Sequence, residues 1–379
     1  MIYELIIVGG GVWGCSAALR ALEQGVSSVL LIEANPGVAR ESSAKAGGIV
    51  TDLLWHEEDR QWVDRSRILF RKALETSGDR SILQSYGMLT LFEERDEAII
   101  YERFKSLHDA GKGAEIWAYE KIMGEYPDLD RLDPRTMALC TPGDEHVNPT
   151  AYAEAVLAMA KNRGLTVRFD ARVDRLAVES GQVVVGVGSE TVLGNRVLVA
   201  AGTWSKKLLS LAGFHIPLRP YRAQLASLDM PSGYHFPMVW ELSTDIYLVP
   251  DGSHNLLAGD GTRLDEFDPD AYETDGDERF LSAIATGVLN LTSQADEAGM
   301  RAAWAGLCGG TPDRRPLLGA VCDRLFVACG DQGIGIMRGP ALGELAVDVA
   351  LGEASAPHLS PLRSTDSSFP IRGGFTLEE

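Results

Sequence analysis

The chain opens on an apolar run, Leu5–Val8, then a glycine-rich turn, then apolar residues at helical spacing, Ala17, Ala18, Leu19 and Leu22. Gly25 closes that stripe and a second apolar run, Val29–Ile32, follows it. A four-residue apolar run bounded by turn residues is expected as a buried strand, and apolar positions three and four apart mark one face of a helix. The pattern predicts strand, turn, helix, strand, the length of one βαβ unit. Residues 57–75 alternate charged and apolar positions with helical period and predict an amphipathic helix. Residues 86–94 predict a strand, 96–110 a polar helix, and Pro149 to about Arg163 a helix stopped by Gly164 and followed by strands. "VLVAAGTWSKK" predicts a buried strand, a tight turn and a helix start. Between about 217 and 305 the pattern becomes short alternation, expected of half-buried strands, with an acidic cluster at 265–278 expected as a solvated loop. The end of the chain, "RLFVACGDQGIGIMRGPALGELAVDVALG", repeats strand, glycine turn and helix, with Pro340 suited to the first helical turn and Arg338 just ahead of it. The two textures interleave, which predicts two domains, each assembled from separated segments.

At 379 residues with 45% hydrophobic and 23% charged positions, the chain can bury a large core and falls in the globular range. A net charge of −19 disfavours nucleic acid or an anionic membrane surface as partner. No apolar run reaches the roughly 18 residues of a membrane span. The segment "MIYELIIVGGG" is expected as a strand and not as a signal peptide, having no basic region or cleavage-like site. The five cysteines form no CxxC pair, which points to reduced thiols in a cytoplasmic protein and away from zinc or any other metal site.

Gly9, Gly11 and Gly14 fit GxGxxG between a strand and a helix. The first permits the turn, the second lets a pyrophosphate approach the backbone, and the third lets helix and strand pack closely. Glu33, at the end of the second strand, is placed to accept hydrogen bonds from a ribose. A dinucleotide site follows.

Four segments then carry a resemblance: "IIVGGGVWGCSAALRALEQG…VLLIEA", "ESSAKAGGI", "VLVAAGTWS" and "WAGLCGGTPDRRPLLG…FVACGDQGIGIMRGPALGELA". In order and spacing they resemble the D-amino-acid-oxidase-like family of FAD enzymes, which includes glycine and sarcosine oxidases, over nearly the whole chain. The resemblance implies an α/β fold with α+β elements. A Rossmann-like FAD-binding domain would use residues 1–84, 146–217 and 306–379, and an antiparallel, β-rich substrate domain residues 85–145 and 218–305. It implies non-covalent FAD, with Ser42, Ser43, Lys45, Gly47 and Gly48 along the path from pyrophosphate to ring and Ile49 near the ring. Val173 would meet the adenine, and Gly202 and Trp204 would form a second contacting turn. Gly330, Gly333, Gly335 and Ile336 would bring backbone amides and a helix N-terminus to the flavin, a field that stabilises its reduced form. Arg338 is expected to add to that field, with a surface arginine as the alternative.

The implied reaction passes hydride from a carbon next to an amine nitrogen to flavin N5, and the imine then hydrolyses. Positioning and desolvation carry such a step, so His56, His146 and His254, scattered along the sequence, are expected to be structural. The substrate would be a small amine, amino acid or imino acid, with dioxygen or another electron acceptor, and homo- or hetero-oligomers are both compatible. Tyr247 is expected to border the substrate and Tyr221 to lie where the chain enters the substrate domain, with core packing as the alternative for each; Trp304 is expected in the core. The sequence departs from the family at its carboxylate anchors: Cys308 and Gly333 stand where glycine-oxidase-like members carry arginines, and Met337 where sarcosine oxidases carry a lysine. Arg222, Arg315, Arg338 or Lys45 would have to replace them, or the substrate lacks a simple α-carboxylate. Cys308 is expected to wall the substrate pocket. Covalent flavin attachment, for which it is two residues out of register, and plain packing are the alternatives. Competing readings are 2-hydroxy-acid oxidation, an FAD-binding subunit active only with a partner, and a flavin monooxygenase. "FVACGDQG" resembles the Gly-Asp turn of the last, although "AAGTWS" and "WAGL…TPD" argue against it.

Overall fold

The computed structural model describes residues 2–371 except 55, 180, 267 and 367. Its first sheet is built around Ile2–Val8, flanked by Val29–Ile32 and Glu190–Val199, both parallel to it. Thr166–Arg168 extends one side in parallel, and Leu325–Cys329 adds in parallel to Glu190–Val199 on the other. Leu5, Ile6 and Ile7 are wholly buried because helices and strands cover both faces, which is why this strand is a continuous apolar run and not an alternation. Arg175–Glu179, Gln182–Val187 and Leu317–Cys322 complete the sheet as antiparallel additions. Helices Val12–Glu23, Glu57–Ser77, Pro149–Lys161 and Gly335–Leu351 pack together over one hydrophobic cluster with this sheet.

The second sheet has nine strands and is antiparallel apart from the pair Met238–Glu241 and Met88–Phe92. Its spine is the long antiparallel pair Arg219–Asp229 and Gly299–Gly310, and beside the spine run the hairpin strands Asn255–Gly259 and Ile246–Pro250. A three-stranded sheet, Ile49–Val50, Glu145–Val147 and Leu83–Gln84, is formed separately.

The stretch from 217 to 305 is β-rich, as expected, and also holds a helix, Glu278–Leu291, capped by Asp277, whose carboxylate accepts the Phe280 N–H at 2.9 Å. Its buried residues Phe280, Ile284, Val288 and Leu291 recur every three or four positions, a helical stripe hidden within a longer β-like texture. The final helix begins at Gly335, so Pro340 lies inside it and Arg338 is a helical residue, not one preceding the helix.

Candidate functional site

A cavity of about 820 Å³ begins where Ile2–Val8 gives way to Val12–Glu23. Gly9, Gly10, Gly11 and Val12 line it, so the unpaired amides of the helix N-terminus open onto it. Gly14 lies beneath this turn and off the cavity wall. Glu33 holds the turn: one carboxylate oxygen accepts the Gly10 N–H at 2.6 Å, and the other accepts the backbone and side-chain N–H groups of Asn35 at 2.8 and 2.9 Å. The oxygen that accepts from Gly10 has acceptor capacity left for a sugar hydroxyl. Ser43 Oγ accepts the Val12 N–H at 3.2 Å and closes the 40–48 loop onto the helix end.

From Glu33 and Val173 the cavity passes Ser42, Ser43, Lys45 and Gly47, with Gly202 and Trp204 also on its wall. It ends at Gly330, Gly333, Gly335, Ile336, Tyr247 and Cys308. A carboxylate near one end, a helix N-terminus in between and a glycine-rich turn leading into a second helix N-terminus form a fitting cradle for a dinucleotide with a ring at its far end.

A smaller chamber of about 130 Å³ adjoins the ring end. Gly48, Ile49, Tyr221, Trp240 and Met337 line it, and Tyr247 and Ile336 border both spaces. Tyr247 pairs across its hairpin with Gly259, and a methyl on Gly259 would overlap the phenol ring. Cys308 is partly exposed to the main cavity and within hydrogen-bonding reach of the Tyr221 phenol and the Asp331 carboxyl. Burial pushes its thiol well above the ordinary value, with the Asp331 charge adding to the effect, so the wall it forms is a neutral one. Burial likewise pushes the Tyr221 and Tyr247 phenols up. The Asp331 carboxylate accepts the Gly309 and Gly333 N–H groups at 2.7 and 3.1 Å and so ties the glycine turn to the Cys308 strand.

Arg338 does not face the cavity. Its side chain is fully buried, bonded to Asp59 at 2.6 Å, and it donates to the Asp331 carbonyl at 3.1 Å. Its charge is spent on that pair, and it supports the glycine turn from behind. Arg222 is paired with Glu266 and Asp277, and Arg315 with Glu58, both off the cavity. Lys45 alone of the four expected cations lies on the wall, held by Glu41 and the Tyr272 hydroxyl. Trp304 is half-buried, its indole donating to the Lys45 carbonyl at 3.0 Å. His56, His146 and His254 line neither space.

The acidic loop at 265–278 is exposed, as expected, but it is also latched. Asp270 accepts from Arg172 at 2.5 Å, from the Trp204 indole at 2.9 Å and from Lys207. Burial is the largest single influence and opposes its ionisation, but the three donors together override it and hold the carboxyl far below the usual range. Pro269, Asp270, Tyr272 and Thr274 thereby become part of the cavity wall. Asp245 and Arg263, which line the small chamber, escape the sequence reading as well. Hairpin arithmetic would have found them: pairing Tyr247 with Gly259 sets Asp245 opposite Gly261, two residues before Arg263.

The sequence matches the family described as DAO, FAD dependent oxidoreductase, over residues 4–349. The glycine oxidase of Geobacillus kaustophilus (strain HTA426) is 26% identical, with 96% of this chain and 97% of that protein aligned. The crystal structure of glycine oxidase from Geobacillus kaustophilus superposes with a TM-score of 0.84 at 21% identity, covering 96% of this chain and all of that one. The L-proline dehydrogenase of P. horikoshii superposes with a TM-score of 0.83 at 22% identity, covering 95% and 97%. The bifunctional protein ThiO/ThiG of Trichormus variabilis is 25% identical over 95% of this chain, which spans only 54% of that longer protein. The chain belongs to the DAO family of FAD-dependent oxidoreductases.

Proposed function

We propose that this FAD-dependent oxidoreductase oxidises a C–N bond of a small amine, amino-acid or imino-acid substrate, leaving an imine that water hydrolyses. Bound FAD supplies the hydride acceptor. In this reading residues 1–84, 146–217 and 306–379 form the cofactor side, of which 1, 55, 180, 367 and 372–379 lie outside the described residues. Residues 85–145 and 218–305 form the substrate side. Gly9, Gly11, Glu33, Ser43, Val173, Gly202 and Trp204 hold the dinucleotide, and Ile49, Tyr247 and Cys308 shape the space beside its ring. The observation that carries the reading is the small chamber at the ring end, walled by Tyr221, Trp240, Tyr247, Ile49 and Met337. Such walls exclude water and fix a small substrate's orientation, the two contributions a hydride transfer needs. The named substrates of similar proteins, glycine and L-proline, share an amine nitrogen next to the carbon oxidised.

Anaerobic mixing of the FAD-loaded protein with amines, N-methyl amino acids, D- and L-amino acids and 2-hydroxy acids tests this reading. At least one nitrogen compound should bleach the flavin absorption and the hydroxy acids should not; the reverse result rejects it. Acid precipitation should release the flavin into the supernatant, since Cys308 is a neutral wall residue here.

The Asp270 latch predicts slow cofactor exchange, because the loop must lift before FAD can leave. Asp270→Asn should speed FAD release about five- to tenfold, as expected of an exposed network worth about 1 kcal/mol. Salt should speed release from the wild type by screening the same contacts. Stopped-flow flavin fluorescence reads both, and unchanged release would rule out the latch.

A further inference from the structure

Among the described residues lining the small chamber, two carry charge: Arg263 and Asp245. Arg263 follows strand Asn255–Gly259, and Asp245 precedes strand Ile246–Pro250, so the Tyr247 hairpin brings both to one end of the chamber. Asp245 adopts a left-handed backbone, φ 59°, and packs against Gly261, where a methyl would lie 3.2 Å from the Asp245 Cβ. The positive charge of Arg263 acts on Asp245, Tyr221, Tyr247 and Cys308, which places it among the side chains ringing the chamber and its mouth. The other charged groups felt by Asp245 are Asp260 and Glu241, and the Trp240 side chain is hydrogen-bonded to it. Asp260 is occupied by the backbone and hydroxyl of Thr262 at 3.0 and 2.5 Å.

We propose that Arg263 anchors the carboxylate of an amino- or imino-acid substrate in this chamber, with Asp245 competing for the same guanidinium. The proposal rests on the C–N oxidation reading above and narrows it from amines in general to amines bearing a carboxylate. A guanidinium keeps its charge whatever its surroundings and offers a planar fork that suits a carboxylate. The aromatic walls and low water content make an anion beside it worth more than in bulk solvent. Asp245 is a poor permanent partner, because burial works against its ionised form. A substrate carboxylate therefore takes over the guanidinium, while a neutral or cationic amine finds no such contact and meets the Asp245 carboxyl instead. Neither residue needs to take part in bond breaking: both set which substrates bind and in what orientation.

The test uses the FAD-loaded protein and titrates acetate, acetamide and methylamine, following the flavin absorption band and the thermal midpoint. Acetate should perturb the spectrum and raise the midpoint, with the other two at least ~10-fold weaker. Arg263→Met should weaken acetate by ~100-fold while the flavin spectrum without ligand stays unchanged, and Arg263→Lys should restore part of the loss. Asp245→Asn, tolerant of the left-handed backbone, should tighten acetate severalfold by removing the competitor. Unchanged acetate binding in Arg263→Met overturns the proposal, as does an Asp245→Asn variant that loses acetate as fully as Arg263→Met. In turnover, Arg263→Met should raise KM for an amino acid far more than it lowers kcat. Acetate binding requires no turnover. If no nitrogen compound bleaches the wild-type flavin, the C–N reading falls by itself, and the acetate series still decides whether Arg263 is an anion anchor.

Discussion

Arg338→Met is expected to destabilise the protein by about 3–5 kcal/mol, the usual cost of removing one partner from a buried ion pair. Arg338 is fully buried and Asp59 is 1% exposed, so the orphaned carboxylate has no access to water. Methionine roughly fills the space of the arginine stem but offers no donor, and the Asp331 carbonyl loses the guanidinium bond at 3.1 Å. Urea denaturation of the apoprotein measures the loss. The double variant Asp59→Asn, Arg338→Met should recover most of the loss, because it buries no unpaired charge. A single variant within 1 kcal/mol of wild type would mean that the pair merely breaks even. FAD affinity should fall together with stability, since Asp331 fixes both Gly309 and Gly333 at the ring end of the cavity.

This residue also illustrates where sequence reasoning stops. The strand, turn and helix that open onto the main cavity were legible from Gly9, Gly11 and Glu33, because they are adjacent in the chain and their geometry is set locally. Arg338 was misplaced because its direction depends on where the helix begins. Counting from Pro340 leaves Arg338 in a turn, free to point at the flavin. With the helix starting at Gly335, Ile336 faces the cavity, and two residues further on is a rotation of about 200°, which sends Arg338 to the opposite side. Five residues of helix boundary separate a cofactor contact from a core ion pair. The partners of the acidic loop were hidden for another reason: Asp270 meets Arg172 and Lys207 from distant parts of the chain, and an acidic cluster alone does not name its counter-ions. Arg263 and Asp245 lie between these cases, since a short hairpin register reaches them once Tyr247 is taken as a site residue.

Gly14→Ala should abolish FAD binding in the isolated protein, lowering affinity by ~100-fold or more. The methyl would overlap the Gly9 carbonyl oxygen and lie 3.0 Å from the Gly9 carbonyl carbon, both backbone atoms with no side-chain freedom to yield. Relief requires helix Val12–Glu23 to move off the end of strand Ile2–Val8, and that movement withdraws the helix N-terminus from the phosphate position. Overpacking of this kind costs about 1–3 kcal/mol in ordinary cores, and a backbone-to-backbone clash belongs at or above the upper end. Both flavin content and thermal midpoint should therefore fall. Gly11→Ala provides the contrast: its methyl would meet only the Ser43 hydroxyl at 3.3 Å, a side chain that can rotate. That variant should keep the apoprotein's stability within about 0.5 kcal/mol of wild type while binding FAD more weakly, because the methyl occupies cavity space and not core. If the two variants lost flavin and stability in the same proportion, the division of labour between the second and third glycines would be wrong. A yellow, fully stable Gly14→Ala protein would mean that the strand and helix can separate here without disturbing the cofactor.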